Sequence, residues 1–185
     1  MDNEKSELEK KVEEGIYGQP EIKKEEKNRF LGEFKERVIK DLTFAQIKED
    51  VIYPEILEAV CHPRAARLII DRNVDIDQAH KYIEKAREHD LGFKRVHSPS
   101  FKGDTALVVV GKRAVEVEQR QVIDREKRLK KLGISDNIIR NVGGKLCQDC
   151  WQELKEKAPE ELINYKKMSW WDRLLQVECE SCGNN

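Results

Sequence analysis

Thr105-Ala-Leu-Val-Val-Val110 carries no charge in a chain of 185 residues that is 38% charged, and its reading decides the fold. A short β-branched run between a turn-rich stretch (Ser98 to Asp104, with Pro99 and Gly103) and Gly111 predicts a strand buried on both faces. Ala65 to Asp71 is a second such run. Between the two, Asp75 is placed to N-cap a helix whose Ile76, Ala79, Ile83 and Ala86 make one apolar stripe, with Gly92 as its stop and Phe93 to His97 as a further strand. Upstream, Phe34, Val38, Leu42 and Phe44 fit period two better than period 3.6, which favours a long strand ending near Gln46. Pro54 then opens a short helix, Tyr53 to Val60, with Ile56, Leu57 and Val60 facing inward. Strands alternating with helices in this order predict an α/β (α+β) fold, a small mixed sheet with helices packed on it.

Outward from this centre, the chain divides into four parts. Residues 1–27 form a charged N-terminal arm with a thin stripe at Leu8, Val12 and Ile16, residues 28–115 the α/β domain, residues 116–142 basic connecting helices, and residues 143–185 a cysteine-bearing module. Gly143-Gly144 is the expected boundary before the last part. The 35 Lys and Arg against 36 Asp and Glu leave a net charge of −1, so the protein as a whole does not attract nucleic acid or an anionic membrane. No apolar run approaches the roughly 18 residues of a membrane span, and Met1 to Glu14 is too charged for a signal peptide; a cytoplasmic protein with no membrane partner is expected.

The strongest chemical signal is Cys147-Gln-Asp-Cys150 and Cys179-Glu-Ser-Cys182-Gly183, two C-x-x-C pairs separated by 28 residues. Zn²⁺ takes four thiolates in a tetrahedron, and a two-residue spacer lets both sulfurs of a pair reach one ion. Gly183 suits the tight turn after the second pair. Four thiolates leave no open position, so a structural Zn²⁺ is expected, with an iron centre or a dithiol redox switch as alternatives. The intervening Trp151, Leu154, Leu162, Ile163, Tyr165, Trp170, Trp171, Leu174 and Leu175 are expected to form a small apolar cluster, and this Trp-rich module to offer a surface to a protein partner. Cys61 reads as a small half-buried residue, and His62, His80, His89 and His97 show no ligand spacing. G-x-G-x-x-G, P-loop, G-x-S-x-G and H-E-x-x-H motifs are absent.

On a chain of near-zero net charge the local anion-binding candidate is a helix over Arg120 to Lys131 bearing Arg120, Arg125, Lys127, Arg128, Lys130 and Lys131, with Lys112 and Arg113 extending the patch. This points to RNA or a ribonucleoprotein as a partner, though no aromatics are interleaved for stacking bases. A non-enzymatic binding or adaptor protein is the leading expectation. Its alternatives are a small enzyme with Arg37 and Glu36 at a cleft of the α/β domain, or a thiol sensor that releases zinc on oxidation.

The string Leu31-Gly32-x-Phe34-x-Glu36-Arg37-Val38, with Gly-Ile-Tyr-Gly at 15–18 and Thr43 and Gln46 downstream, resembles the YueI-like family of uncharacterised bacterial proteins over about residues 10 to 120. Glu33 stands where that family would have a Thr. The resemblance implies a fold similar to the chorismate-mutase-like one, whose broader relatives include kink-turn RNA-binding ribosomal proteins, and it implies no activity. The cysteine module lies outside the resembling region.

Overall fold

A computed structural model describes residues 24–183. The element order is α1 (Lys24–Arg29), a 3₁₀ turn (Lys35–Arg37), β1 (Val38–Thr43), α2 (Phe44–Lys48), α3 (Pro54–Val60), β2 (Ala65–Asp71), α4 (Ile76–Glu88), β3 (Gly92–Val96) and β4 (Thr105–Gly111). There follow α5 (Arg125–Lys131), α6 (Asp136–Arg140), β5 (Lys145–Leu146), α7 (Gln148–Lys157), a 3₁₀ helix (Pro159–Asn164), β6 (Lys166–Lys167) and α8 (Trp170–Leu174). The charged arm expected over residues 1–27 lies outside the described residues up to position 23.

β4 is buried along its whole length, as its sequence predicts, because it occupies the interior of a sheet ordered β1-β4-β2-β3. β1 and β2 pair antiparallel to it and β3 runs parallel to β2, so the sheet is mixed. Alternation sends Leu107 and Val109 into the larger core with Leu68 and Ile70, under α2, α3 and α4. Val108 and Val110 point the other way and join Val38, Ile69 and the Phe30 and Leu31 that follow α1 in a thinner layer.

Three local expectations fail for identifiable reasons. The strand expected to reach Gln46 stops at Thr43, because Thr43 and Gln46 form a reciprocal capping box that starts a helix at Phe44: the Gln46 N–H donates to Thr43 Oγ1 at 3.2 Å and the Thr43 N–H to Gln46 Oε1 at 3.0 Å. Ile76 is 41% exposed, and the inward stripe of α4 is Ala79, Tyr82, Ile83 and Ala86. At 100° per residue Ile76 falls about 70° from the centre of that stripe, whereas the polar-tipped Tyr82 falls within it. Gly92 opens β3 rather than stopping α4. The stop is a Schellman turn in which Asp90 takes the left-handed conformation (φ 54°), the Asp90 N–H reaches the Arg87 carbonyl and the Leu91 N–H the Ala86 carbonyl.

The basic helix expected over Arg120 to Lys131 forms only over Arg125–Lys131, and the further short helix of the connecting segment is α6. Leu129 of α5, together with Ile134, Ile138 and Ile139, packs with Leu146, Leu154, Tyr165 and Met168 into a second core that also takes in Cys147, Cys150 and Cys179. This second core is tied to the sheet domain by paired bonds: Asn164 Oδ1 accepts from the Ile52 N–H at 2.7 Å, and Asn164 Nδ2 donates to the Ile52 carbonyl at 2.8 Å.

Candidate metal centre

Cys147 caps α7 from an extended conformation (φ −65°, ψ 175°), and Cys150 follows in the first turn of that helix. A helix start turns its free N–H groups toward such sulfurs. Cys179 and Cys182 sit on the opposing turn, closed as expected by Gly183, whose N–H donates to the Cys179 carbonyl at 2.8 Å from a left-handed φ of 71°. Gly144 permits this turn to approach, since a Cβ there would meet Glu180 Oε2 at 2.7 Å and the Asn141 carbonyl at 2.9 Å.

All four sulfurs lie within 4.8 Å of one another, with 3.6 Å between Cys147 and Cys182 and 3.9 Å between Cys150 and Cys179. Four sulfurs placed tetrahedrally about 2.3 Å from a zinc ion are about 3.8 Å apart. A disulfide would need about 2.05 Å. The four cysteines therefore fit a metal ion, with three buried and Cys182 at the surface. Burial opposes ionisation of the Cys179 thiol, but the backbone N–H groups of Cys147, Ser181 and Cys182 outweigh it and bring the thiol down to about 7. Burial, reinforced by hydrogen bonds shared with the other three sulfurs, pushes the Cys150 thiol up.

The expected tryptophan cluster is only half formed. Leu154 and Tyr165 are buried, with Trp151 and Leu162 packed partly against them. Ile163, Trp170, Trp171, Leu174 and Leu175 are exposed, the last four by 56% to 72%, and the two indoles of α8 lie against each other with centroids 3.8 Å apart. Lys145 pairs with Asp172 of this helix.

The basic residues do not share one outward side. Arg125 is buried, bonding Glu161 Oε2 at 2.8 Å, the Ile139 carbonyl at 3.1 Å and the Tyr165 hydroxyl at 2.8 Å. Arg128 pairs with Glu55, Glu160 and Glu161. Arg120 lies before the helix, and Lys130 is paired with Glu126 and Asp136. Lys127 and Lys131 are exposed on α5, and Lys112 and Arg113 on the turn after β4. The sequence shows the cations but not Glu161, the fully buried carboxylate that turns two of them inward.

Within the Leu31-to-Val38 string, Leu31 and Gly32 both adopt left-handed backbone (φ 54° and 90°), and Val38 is fully buried. Phe34 stacks beneath the Lys27 ammonium at 4.3 Å. Glu36 lines a cleft of about 730 Å³ with Arg64, Glu116, Glu118 and Arg120. Arg37 is not part of that lining: it donates to the Gly111 carbonyl at 3.0 Å and pairs with Glu33 at 3.1 Å. Cys61 is exposed rather than half-buried, with its sulfur 3.2 Å from His89 Nε2. Their distance of 28 positions in the chain hides that pair from any spacing rule.

Among the described residues no helix is long and apolar enough to cross a membrane. The family described as "Protein of unknown function (DUF1694)" matches residues 5–121. The chain is similar to the uncharacterized protein YueI of Bacillus subtilis (strain 168), 28% identical over 107 residues that cover 58% of this chain and 81% of the relative. The crystal structure of the YueI protein from Bacillus subtilis superposes with a TM-score of 0.53 at 26% identity, covering 65% of this chain and 94% of that one. The four cysteines lie beyond the family match.

Proposed function

The chain belongs to the DUF1694 family of proteins of unknown function, and we propose that its cysteine module is a structural zinc centre in a non-enzymatic adaptor. The observation that supports zinc is the pair of Sγ separations, 3.6 and 3.9 Å, on either side of the tetrahedral edge of about 3.8 Å. Four thiolates saturate the ion, so it organises the module rather than activating water. It holds the start of α7 against the closing turn, and with them the second core, a role that binding free energies of about 10 to 16 kcal/mol can fill. The rigid module carries the exposed Trp170 and Trp171, large amphipathic rings of the kind that anchor protein interfaces, toward a protein partner.

Elemental analysis of untagged protein purified without added metal tests the centre. One zinc per chain, with helix lost on chelation, is the expected result. Metal-free protein whose four thiols titrate and pair reversibly overturns it. Trp170→Ser with Trp171→Ser is expected to keep both metal and fold, because both residues are more than half exposed and belong to neither core.

A further inference from the structure

Asp41 is the one residue of the β1 ladder whose charge is carried into a buried face of the sheet. It is 4% exposed and sits opposite Val108, in the thin layer with Phe30 and Val110. Its Oδ1 is shielded from solvent and receives no hydrogen bond, and its carboxylate forms no ion pair among the described residues. Such a group costs free energy and calls for a reason.

The reason is visible on its open side. β1 is an edge strand, bridged at Asp41 by the segment Arg120–Val122: the Asp41 N–H donates to the Arg120 carbonyl at 3.0 Å and the Val122 N–H to the Asp41 carbonyl at 3.2 Å. Beside that bridge is a cleft of about 320 Å³, lined by Asp41 and Phe30 together with Arg29, Lys35 and Arg120. Arg120 is fixed there by carbonyls, donating to those of Lys35 at 2.8 Å and Val115 at 3.2 Å, and no carboxylate pairs with it among the described residues. The cleft thus has in its lining a carboxylate without an ion pair among the described residues, three cations and Glu118, at the lower end of the volumes that hold small ligands.

We propose that this cleft binds a small zwitterion, an amine-bearing carboxylate of amino-acid size, with its ammonium group on Asp41 and its carboxylate against Arg29, Lys35 and Arg120. An ammonium supplies the ion-pair partner that the Asp41 carboxylate lacks among the described residues, and the carboxylate meets Arg120, which no carboxylate pairs with among the described residues. A simple anion would leave Asp41 unsatisfied, and a simple amine would meet three cations. The groups acting on Asp41 are Arg29 from α1, Lys40 beside it, Asp104 ahead of β4 and Arg120 from the bridging segment, with Lys35 and Glu118 also in the lining. Burial dominates them and raises the Asp41 carboxyl to about 6. Binding requires its charged form.

The test is titration of the full chain, with its metal in place, with each of the twenty amino acids, read by backbone amide shifts. One or more of them is expected to move resonances of residues 40–42 and 118–122. Asp41→Asn and Lys35→Glu are each expected to weaken that binding at least tenfold. Lowering the pH from 7.5 to 5 is expected to weaken it about tenfold in the native chain and not in Asp41→Asn. The proposal is overturned if no amino acid shifts these resonances at about 10 mM, if acetate or methylamine alone binds as tightly, or if Asp41→Asn binds unchanged. These readouts do not depend on which metal the cysteines hold.

Discussion

Replacing Asp41 by Asn keeps the shape of the side chain and removes its charge, so the effect on stability measures what the fold spends on that carboxylate. Burial raises the carboxyl from 3.8 to about 6. At about 1.36 kcal/mol per pH unit the charged form is disfavoured by about 3 kcal/mol. The mouth of the cleft admits solvent and the Asn amide also wants partners, which brings the expected gain at pH 7.5 to about 2 kcal/mol. The sign follows from linkage: with the folded value above the unfolded one, the native chain is favoured below about 4 and loses that advantage as the pH rises through about 6. Asp41→Asn is therefore more stable at pH 7.5, and its advantage shrinks to about a third by pH 4.5. Urea titrations of both proteins at both pH values read this directly, the difference between variants cancelling any pH dependence of the cysteine centre. With a slope of about 2 kcal/mol per molar, the midpoint should rise by about 1 M at pH 7.5. A midpoint that falls, or a gain equal at both pH values, refutes the reasoning, because either result means the carboxylate is satisfied in the fold.

Two further pairs of variants probe the second core. Arg128→Glu leaves Glu161, 0% exposed, with Arg125 as its one cation and sets a new carboxylate among Glu55, Glu160 and Glu161, and should destabilise by about 3 kcal/mol or more, whereas Lys127→Glu with Lys131→Glu should change the thermal midpoint little. Gly144→Ala forces a methyl against the Asn141 carbonyl and the Glu180 side chain, and a chelator competition should show metal affinity reduced about tenfold, while Gly143→Ala, with open space around it, should keep affinity and lose only about 1 kcal/mol of stability to its left-handed backbone.

Periodicity carries far in this chain where burial is two-sided or continuous. β4 throughout and β2 from Leu68 onward are buried on both faces, so these runs could hardly be read otherwise. The cysteine pairs were equally legible, since two ligands on one turn impose a fixed spacing and two such pairs close a four-thiolate site. What failed to show was chemistry set by partners distant in sequence. Asp41 reads as the polar member of an alternating strand, and only the sheet register places it over Val108. Arg125 and Arg128 read as solvated cations, and the carboxylates that bury them come from the 3₁₀ helix more than 30 residues later and from Glu55 far upstream. Thr43 and Gln46 are a different case: three apart and both polar, they spell a capping box, and period two in the surrounding apolar residues masked it.

The latch between the two cores makes a demand on the metal. Asn164 grips both backbone groups of Ile52, and its amide also donates to Glu161 at 3.0 Å, so one side chain joins the sheet domain to the buried ion-pair network of the cysteine module. The carbonyl of Asn164 in turn accepts from the Gly143 N–H at 2.8 Å, four residues before the first cysteine. If metal organises this module, chelation should loosen Gly143, then Asn164, and then the Ile52 backbone, which lies in the loop leading to α3. Amide exchange of Ile52 is therefore expected to quicken on metal removal, while that of Val108, in the centre of the sheet, stays slow. Equal protection of Ile52 with and without metal would mean that the latch holds by itself, and that the sheet domain is insensitive to the state of the cysteines.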